Sequence, residues 1–427
     1  LVGLADMAWL LDDYPAAIEA IEAALALYPE APDPRRQGHL LASLAEITRH
    51  HFNDPVRGEA LCREAAAVYA TAGDLLGEAN ALRVMTLVVW DQGDLPRAMA
   101  LAQQCHRLFE RGDDLQGTAG ALSLQAGLAR DSGDLTTAPD LSHRSLAAFR
   151  QADEPWGTAH VVRSLGTLAL ARGDDDLAFA MGEESLQLHE ELGNARGVAE
   201  SLLVMGEAAL NRGQLEEAEM LCGRALAQFR ERGFAGDVTI ALQSAARVAL
   251  RRGSLERAAA LCEEALVPYR SSGHKRDAAP AVHLLGVVRA RQGAVAAAAE
   301  LYQESLELFG DAGDHRGVAR SLEGLAEAAL GDGDPVRAAR YLSAARSRRA
   351  EASAPPTPAE RPDILRIVAG VWAGLGDSEF ARQWAVEWES AEWVTDEIDI
   401  RAGAVGTTDA KKAPPSGRGL GVSRGAG

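Results

Sequence analysis

Lysine, cysteine and long apolar runs are scarce in this chain of 427 residues. Only three lysines occur, and none lies in the G-x-x-x-x-G-K-[S/T] motif that binds nucleotide phosphates. Four cysteines are too few for a disulfide-bonded scaffold, which predicts a reducing, cytoplasmic location. No apolar run approaches the length of about 18 residues that a membrane span needs. We therefore expect no membrane contact and no nucleotide hydrolysis by this segment.

Positive charge is also in short supply, because the chain has a formal net charge of −19 at pH 7. Such an acidic body repels phosphate backbones, which argues against nucleic-acid binding. The C-terminal residues 397–427 are rich in Gly, Ser and Pro and are predicted to be a disordered tail.

Signatures of catalysis and metal binding are incomplete wherever they begin. Residues 189–193, HEELG, lack the second His of a zinc-protease helix, and residues 421–425, GVSRG, lie in the predicted tail without a strand before them. Asp174, Asp175 and Asp176 lack the Gly and terminal Glu of a calcium loop and are better explained as solvated residues that cap a helix. We predict no catalytic, cofactor-binding or metal-binding residues and hence no enzyme.

A period of 40 residues organises most of the chain. Glycine recurs at Gly93, Gly133, Gly173, Gly213, Gly253, Gly293 and Gly333. Alanine follows five residues later at Ala98, Ala138, Ala178, Ala218, Ala258, Ala298 and Ala338. An aromatic column comprises Tyr69, Phe109, Phe149, Phe229, Tyr269 and Phe309, with His189 as the exception. A second alanine column comprises Ala79, Ala119, Ala159, Ala199, Ala279 and Ala319, interrupted by Thr239.

Each period is predicted to form a helical hairpin. In residues 157–196, apolar residues recur at steps of three and four before and after Gly173, which indicates helix A, a turn and helix B. Gly173 can adopt the left-handed conformation that ends a helix. The alanines are expected at the closest crossing of the two helices, where a larger side chain would not fit. The aromatic column is expected to fill the gap toward the next hairpin.

The repeat resembles the tetratricopeptide repeat (TPR). The resemblance lies in the pair Leu165-Gly166 of helix A, the glycine turn, and the pair Ala225-Leu226 of helix B. It implies an all-α, right-handed α-solenoid of about eight to nine repeats. The predicted segments are a degenerate repeat at 1–38, eight TPR-like repeats at 39–350, a proline-rich linker at 351–362, a C-terminal helical cap at 363–396, and the tail.

The C-terminal part resembles the ending of bacterial STAND-type regulators, in which an NTPase precedes such repeats and a LuxR-type, SARP-type or cyclase effector lies elsewhere. The resemblance is carried by ARYLSAARSRRAEASAPPTPAE, beginning at Ala339, and GLGDSEFARQWA, beginning at Gly374. It implies a non-catalytic, signal-sensing arm that can contact an upstream NTPase domain. The chain enters a helical pattern directly at Leu1, so we expect further sequence before it. A free-standing scaffold that binds peptides in its groove is the alternative.

The resemblance also implies a concave, partner-binding face lined by the A helices. Residues that the apolar columns leave over on this face are Asn80, Arg83, His160, Arg163, Thr167, Gln243, Arg247, Arg251, His283 and Arg291, together with Glu200, Glu207, Arg320, Glu323 and Glu327. Two arginine groups, Arg83 with Arg163 and Arg247 with Arg251 and Arg291, suit the capture of carboxylates. Asn80 with Arg83 resembles part of a TPR carboxylate clamp. Pairing of these arginines with neighbouring glutamates is the alternative.

Cys222 and Cys262 occupy equivalent positions in successive B helices, and Cys62 falls in the same column. Adjacent helices pack about 8–10 Å apart, which exceeds the Cα separation of about 7 Å that a disulfide tolerates. Ala102, Ser142 and Gly182 complete the column in other repeats. We therefore interpret the cysteines as small buried spacers at a position that requires a small side chain.

Overall fold

The computed structural model describes residues 14–27, 33–49, 54–272, 278–351, 356–357 and 360–376, and within these ranges every regular element is helical. The helices are α1 (Tyr14–Ala26), α2 (Pro34–Ile47), α3 (Pro55–Thr71), α4 (Leu75–Asp91), α5 (Leu95–Arg111), α6 (Leu115–Asp131), α7 (Ala138–Gln151), α8 (Pro155–Arg172), α9 (Asp175–Glu191), α10 (Ala195–Asn211), α11 (Leu215–Arg232), α12 (Ala235–Arg251), α13 (Leu255–Ala265), α14 (Val267–Ser272), α15 (Ala278–Arg291), α16 (Val295–Asp311), α17 (His315–Gly331), α18 (Pro335–Glu351) and α19 (Arg361–Leu375). The predicted all-α class is confirmed. Residues 1–13 and 28–32 of the predicted degenerate repeat, the distal part of the predicted cap and the whole tail lie outside the described residues.

Successive helices pack against one another in chain order and form an α-solenoid. The A helices are α2, α4, α6, α8, α10, α12, α15 and α17, and each is followed by its B helix. The B helix of the sixth hairpin is divided into α13 and α14 next to Pro268, because proline cannot donate the helical hydrogen bond. These hairpins belong to one compact unit, Leu1–Val371, and of the second unit, Trp372–Gly427, the described part is the end of α19 and Gly376.

The turn glycines adopt the left-handed conformation that the sequence predicts. The φ angle is +82° at Gly93 and +77° at Gly213, and the other glycines of this column have similar values. In the turns that lead from a B helix to the next A helix, Asp113 and Asp153 take φ angles of +53° and +51° in two repeats. Aspartate tolerates this region better than most residues do, so the left-handed position of these turns does not require glycine.

One turn contacts a distant part of the same unit. A methyl group placed on Gly93 would lie 1.9 Å from the carbonyl oxygen of Ala312 and 3.5 Å from the Cα of Gly313. The turn between α4 and α5 therefore rests on the turn between α16 and α17. Only a residue without a side chain allows this approach, which the 40-residue period by itself does not reveal.

The alanine columns lie in the interior of the helical array. All seven alanines that follow the turn glycines are completely buried, and so are most of those in the second column. A larger side chain would have to push two helices apart. The predicted packing role of the alanines is therefore confirmed.

The aromatic column packs on glycine in the first turn of the next A helix. A methyl group on Gly117 would lie 2.2 Å from the Phe109 ring, and the same relation holds between Gly77 and Tyr69. Asp114 caps this helix by accepting a hydrogen bond from the Gly117 amide at 2.9 Å. His189 continues the pattern with its ring beneath Gly197, because a planar ring of similar thickness fits the same slot.

The cysteine column tolerates large residues as well as small ones. Cys222 and Cys262 are buried and free, as are the other two cysteines. However, Tyr302 occupies the same column and is fully buried, because Gly286 and Gly324 leave room for its ring. The prediction that this position requires a small side chain is therefore wrong at Tyr302. The space available to the side chain in this column depends on the residues of the facing A helices as well as on the column itself.

Candidate functional site

The A helices carry a set of exposed or partly buried side chains outside the core, polar apart from Trp156 and Ile240, which we call the A-helix face. It comprises Asn80, Arg83, Trp156, His160, Arg163, Thr167, Glu200, Glu207, Ile240, Gln243, Arg247, Arg251, His283, Arg291, Arg316 and Arg320. Neighbouring A helices are joined by ion pairs across this face. For example, Arg196 on α10 contacts Asp237 on α12 at 2.9 Å. Stacking of the hairpins therefore brings residues about one repeat apart into contact.

Most of the predicted arginines already have an acidic partner. Arg163 lies 3.2 Å from Glu200, and Arg247 lies 2.8 Å from Glu207. Arg291 reaches the first turn of α19 and approaches Asp363 at 3.7 Å. These pairs are partly exposed, so each contributes modestly to stability. The charges of these three arginines therefore interact with acidic side chains of the same chain.

Arg83 and Arg251 differ from the other predicted arginines. The structure shows neither a hydrogen bond nor an ion pair for them within the described part of the chain. Arg83 is partly buried next to the thiols of Cys62 and Cys105, and no contact links it to Arg163. The two arginine groups expected from the sequence therefore do not form as contacting clusters. Arg83 remains a candidate as a single cation on α4.

The remaining predicted residues make local contacts. Asn80 donates to the carbonyl oxygen of Leu76 at 3.1 Å, and the Thr167 hydroxyl donates to the Arg163 carbonyl oxygen at 3.3 Å. Gln243 is partly buried and engaged in a contact of its own. Asn80, Thr167 and Gln243 are exposed or partly buried, and the hydrogen bonds of Asn80 and Thr167 do not bring the three side chains together.

His160 is exposed to solvent and yet crowded by protein atoms. Desolvation is the main reason why its pKa falls to about 4, and the Arg163 guanidinium, 3.1 Å from Nδ1, adds to the effect. His160 is therefore neutral at physiological pH and offers hydrogen bonds rather than charge.

His283 and Arg320 lie three repeats further along, at the positions equivalent to Arg163 and Glu200. Desolvation, with help from the Arg320 charge, lowers the pKa of His283 to about 3. The His283 ring packs against Tyr302 with centroids 5.4 Å apart and planes tilted by 47°, and its Nδ1 atom is buried without a hydrogen-bond partner. The Arg320 guanidinium covers the Phe309 ring at 5.5 Å. Both side chains are thus held in place by aromatic rings.

A buried ion pair closes the last repeat, and the sequence analysis did not identify it. Arg349 is 6% exposed and donates two hydrogen bonds to Glu323, at 2.8 and 3.0 Å. Burial raises the pKa of Glu323 and the bidentate arginine opposes this shift, so the geometry is that of an ion pair. Arg349 occupies the aromatic column, 40 residues after Phe309. The arginine at a position that is aromatic in most other repeats was the sequence signal that could have indicated this ion pair.

The cysteines and other potential metal ligands form no reactive group. Burial raises the pKa of all four thiols to about 12, which keeps them protonated and unreactive at neutral pH. Across the described ranges, no three His, Cys, Asp or Glu side chains converge as a metal-ion site. None of the helices resolved there is both long and apolar enough to cross a membrane.

The repeat region matches known protein families. Residues 38–268, more than half of the chain, match the family of the MalT-like TPR region. The chain belongs to this family. Residues 277–351 match the tetratricopeptide repeat, which extends the assignment through the last hairpin. The repeats of this family are generally protein-interaction modules rather than catalysts. No curated protein sequence matches the chain significantly.

Three solved structures have similar folds. A Rap protein complexed with competence and sporulation factor has a TM-score of 0.61 at 11% identity, over 86% of this chain and 99% of that chain. The apo quorum sensor NprR from B. thuringiensis has a TM-score of 0.54 at 14% identity, over 72% and 86%. A STAND protein with a tetratricopeptide repeat sensor from Pyrococcus horikoshii has a TM-score of 0.51 at 11% identity, over 80% and 54%. At these identities the likeness shows the fold.

Proposed function

We propose that the A-helix face binds a peptide or an extended protein segment in a groove, without catalysis. The observation that carries this proposal is the combination of exposed apolar anchors and unpaired cations on rigid helices. Trp156 is 51% exposed and Ile240 is 49% exposed, although both lie on A helices of a well-packed array. Trp and Arg are the residues that most often dominate binding energy at protein interfaces.

The electrostatics of the face support the same function. Arg83 and Arg320 are cations without an ionic partner among the described residues, in a chain whose net charge is −19. A bound segment with carboxylates would complement them. Guanidinium groups on fixed helices lose little conformational freedom on binding, which favours affinity. The Rap and quorum-sensor structures add fold-level support, because the Rap structure contains a bound factor.

The proposal is tested by affinity selection of random decapeptides on the purified chain. Trp156→Ala and Arg83→Glu should each weaken binding of enriched peptides by about tenfold, as expected for interface anchors. Met220→Ala and Arg107→Glu are matched controls, because these exposed residues lie on the B helices α11 and α5. Absence of any enriched peptide, or equal losses in anchors and controls, would refute the proposal.

We also propose that this interaction surface serves as the sensing arm of a bacterial regulator with an NTPase upstream. The STAND protein from Pyrococcus horikoshii, described as having a tetratricopeptide repeat sensor, supports this arrangement. The gene sequence before Leu1 provides the test. A phosphate-binding motif followed by a helical linker is expected, whereas an initiator Met directly before Leu1 would favour the free-standing scaffold.

A further inference from the structure

Three side chains at the C-terminal end of the A-helix face present buried polar atoms without partners. Arg316 and Arg320 lie one turn apart on α17, so they share one side of that helix. Nε and Nη2 of Arg316, Nε of Arg320 and Nδ1 of His283 are buried and make no hydrogen bond. Buried polar atoms in folded proteins nearly always have a partner. Four such atoms on neighbouring helices therefore point to an absent ligand.

The ion pairs around this group leave Arg316 and Arg320 without a direct ionic partner among the described residues. Arg349 is neutralised by its bidentate pair with Glu323. The carboxylate of Asp314 is engaged in capping α17, where it accepts the Gly317 amide at 2.8 Å. Neither Arg316 nor Arg320 has an ion pair in the part of the chain that is described. Two guanidinium groups thus lack a direct ionic partner within the described ranges, although the three arginines balance the carboxylates of Glu323, Asp314 and Glu360 in formal charge.

One further carboxylate, that of Glu360, approaches the region from the segment that precedes α19. Its Oε2 atom accepts the Thr357 amide at 2.8 Å and lies 3.4 Å from Nη1 of Arg349. Burial alone raises the pKa of Glu360, but the nearby guanidinium groups outweigh burial and lower it. Glu360 therefore remains charged. Its charge acts on Arg316 and Arg320 from a distance, without an ion pair to either of them.

A purely structural arginine has a different environment in this molecule. Arg349 is buried, pairs with Glu323 and Glu360, and occupies the sequence column that holds an aromatic residue in earlier repeats. The Arg320 guanidinium instead lies over the Phe309 ring, 5.5 Å from its centroid, and its buried Nε atom has no hydrogen-bond partner among the described residues. A planar, fixed guanidinium is the group best suited to bind a carboxylate through two parallel hydrogen bonds.

We propose that Arg316, Arg320 and His283 form a pocket for one carboxylate of a bound peptide, and that Glu360 competes with that carboxylate from within the chain. The inference rests on the proposed function, because the pocket would hold one end of a segment lying on the A-helix face. The carboxylate comes either from an acidic side chain or from a free C-terminus. Both present the same two oxygens to the arginines.

The test uses random decapeptides, one half with a free C-terminus and the other half amidated, selected on the purified chain. Arg316→Gln with Arg320→Gln should weaken binding of the enriched peptides by about tenfold or more, as loss of charged hydrogen bonds predicts. Arg340→Gln is the matched control, because this exposed arginine lies on the B helix α18 of the same repeat. Far-UV circular dichroism checks that each variant is folded.

Glu360→Gln provides a second test, in which peptide affinity should rise rather than fall. Removal of the competing charge should tighten binding of acidic peptides about threefold, which is the range expected for a partly exposed charge pair. Replacing each Asp or Glu of an enriched peptide by its amide, and amidating its C-terminus, identifies which carboxylate is bound. Competition by inorganic phosphate alone, without a preference for carboxylate peptides, would show a simple anion site and overturn the proposal.

The outcomes separate the two proposals. Failure to enrich any peptide on the unmodified chain contradicts the proposed function itself. Enriched peptides that bind equally to the double variant and to Arg340→Gln contradict the carboxylate pocket but leave peptide binding intact. If the double variant does not fold, unchanged or weaker binding to Glu360→Gln still contradicts the pocket.

Discussion

Replacement of Gly93 by alanine tests whether two distant turns of the solenoid touch in solution. Gly93 has a φ angle of +82°, so any L-residue there pays about 1–2 kcal/mol for the left-handed conformation. The added methyl group would also lie 1.9 Å from the Ala312 carbonyl oxygen. Because carbon and oxygen approach to about 3.3 Å at closest, the turns must separate by roughly 1.4 Å. Overpacking of this kind costs about 1–3 kcal/mol.

Gly213→Ala is the matched control for this experiment. Gly213 has a similar φ angle, +77°, and a methyl group there would meet no atom within 4 Å. Both variants should therefore lose stability through backbone conformation, and Gly93→Ala should lose about 1–3 kcal/mol more. Denaturant unfolding followed by circular dichroism measures the difference. Small-angle X-ray scattering should show an increased radius of gyration for Gly93→Ala alone. Equal stabilities and identical scattering curves would refute the contact.

Two further predictions concern the repeat packing and the buried ion pair. Gly117→Ala should destabilise the chain by about 1–3 kcal/mol, because the methyl group would lie 2.2 Å from the Phe109 ring. Gly120→Ala in the same helix meets no atom and should stabilise the chain by about 0.5–1 kcal/mol. Thermal unfolding measures both variants, and equal effects would contradict the packing of the Phe109 ring on Gly117. Arg349→Met should lower the free energy of unfolding by roughly 3–5 kcal/mol, because it leaves the Glu323 carboxylate buried and unpaired. Adding Glu323→Leu should recover most of that loss, which chemical denaturation measures. A double variant as unstable as Arg349→Met would show that the loss comes from side-chain shape rather than from charge.

Much of the fold follows from short-range rules that can be recognised in the sequence. The glycine column predicts left-handed turns because only small or turn-favouring residues adopt that conformation cheaply. The alanine columns predict close helix crossings because a methyl group is the largest side chain that fits there. Both predictions are confirmed by the φ angles and by the complete burial of alanines such as Ala178 and Ala258. The all-α solenoid follows from these columns.

The candidate site was less accessible from the sequence. Whether Arg163 or Arg247 is free depends on Glu200 and Glu207, which lie about one repeat away and approach only when hairpins stack. Charge composition does not specify such pairings. Trp156 also escaped the sequence analysis, because an exposed tryptophan on an amphipathic helix cannot be distinguished from a buried one without its neighbours.

The amino-acid sequence by itself determined the repeat, its helices and the residues at each crossing, because these depend on conformational preference and volume at fixed spacing. The tertiary structure decided which charges remain unpaired. Arg316 and Arg320 lack partners while Arg349 is enclosed, although all three lie within the last repeat. The difference arises from the stacking of α15, α17 and α18 and from the placement of Glu360. Long-range geometry, rather than local preference, therefore defines where this solenoid can bind.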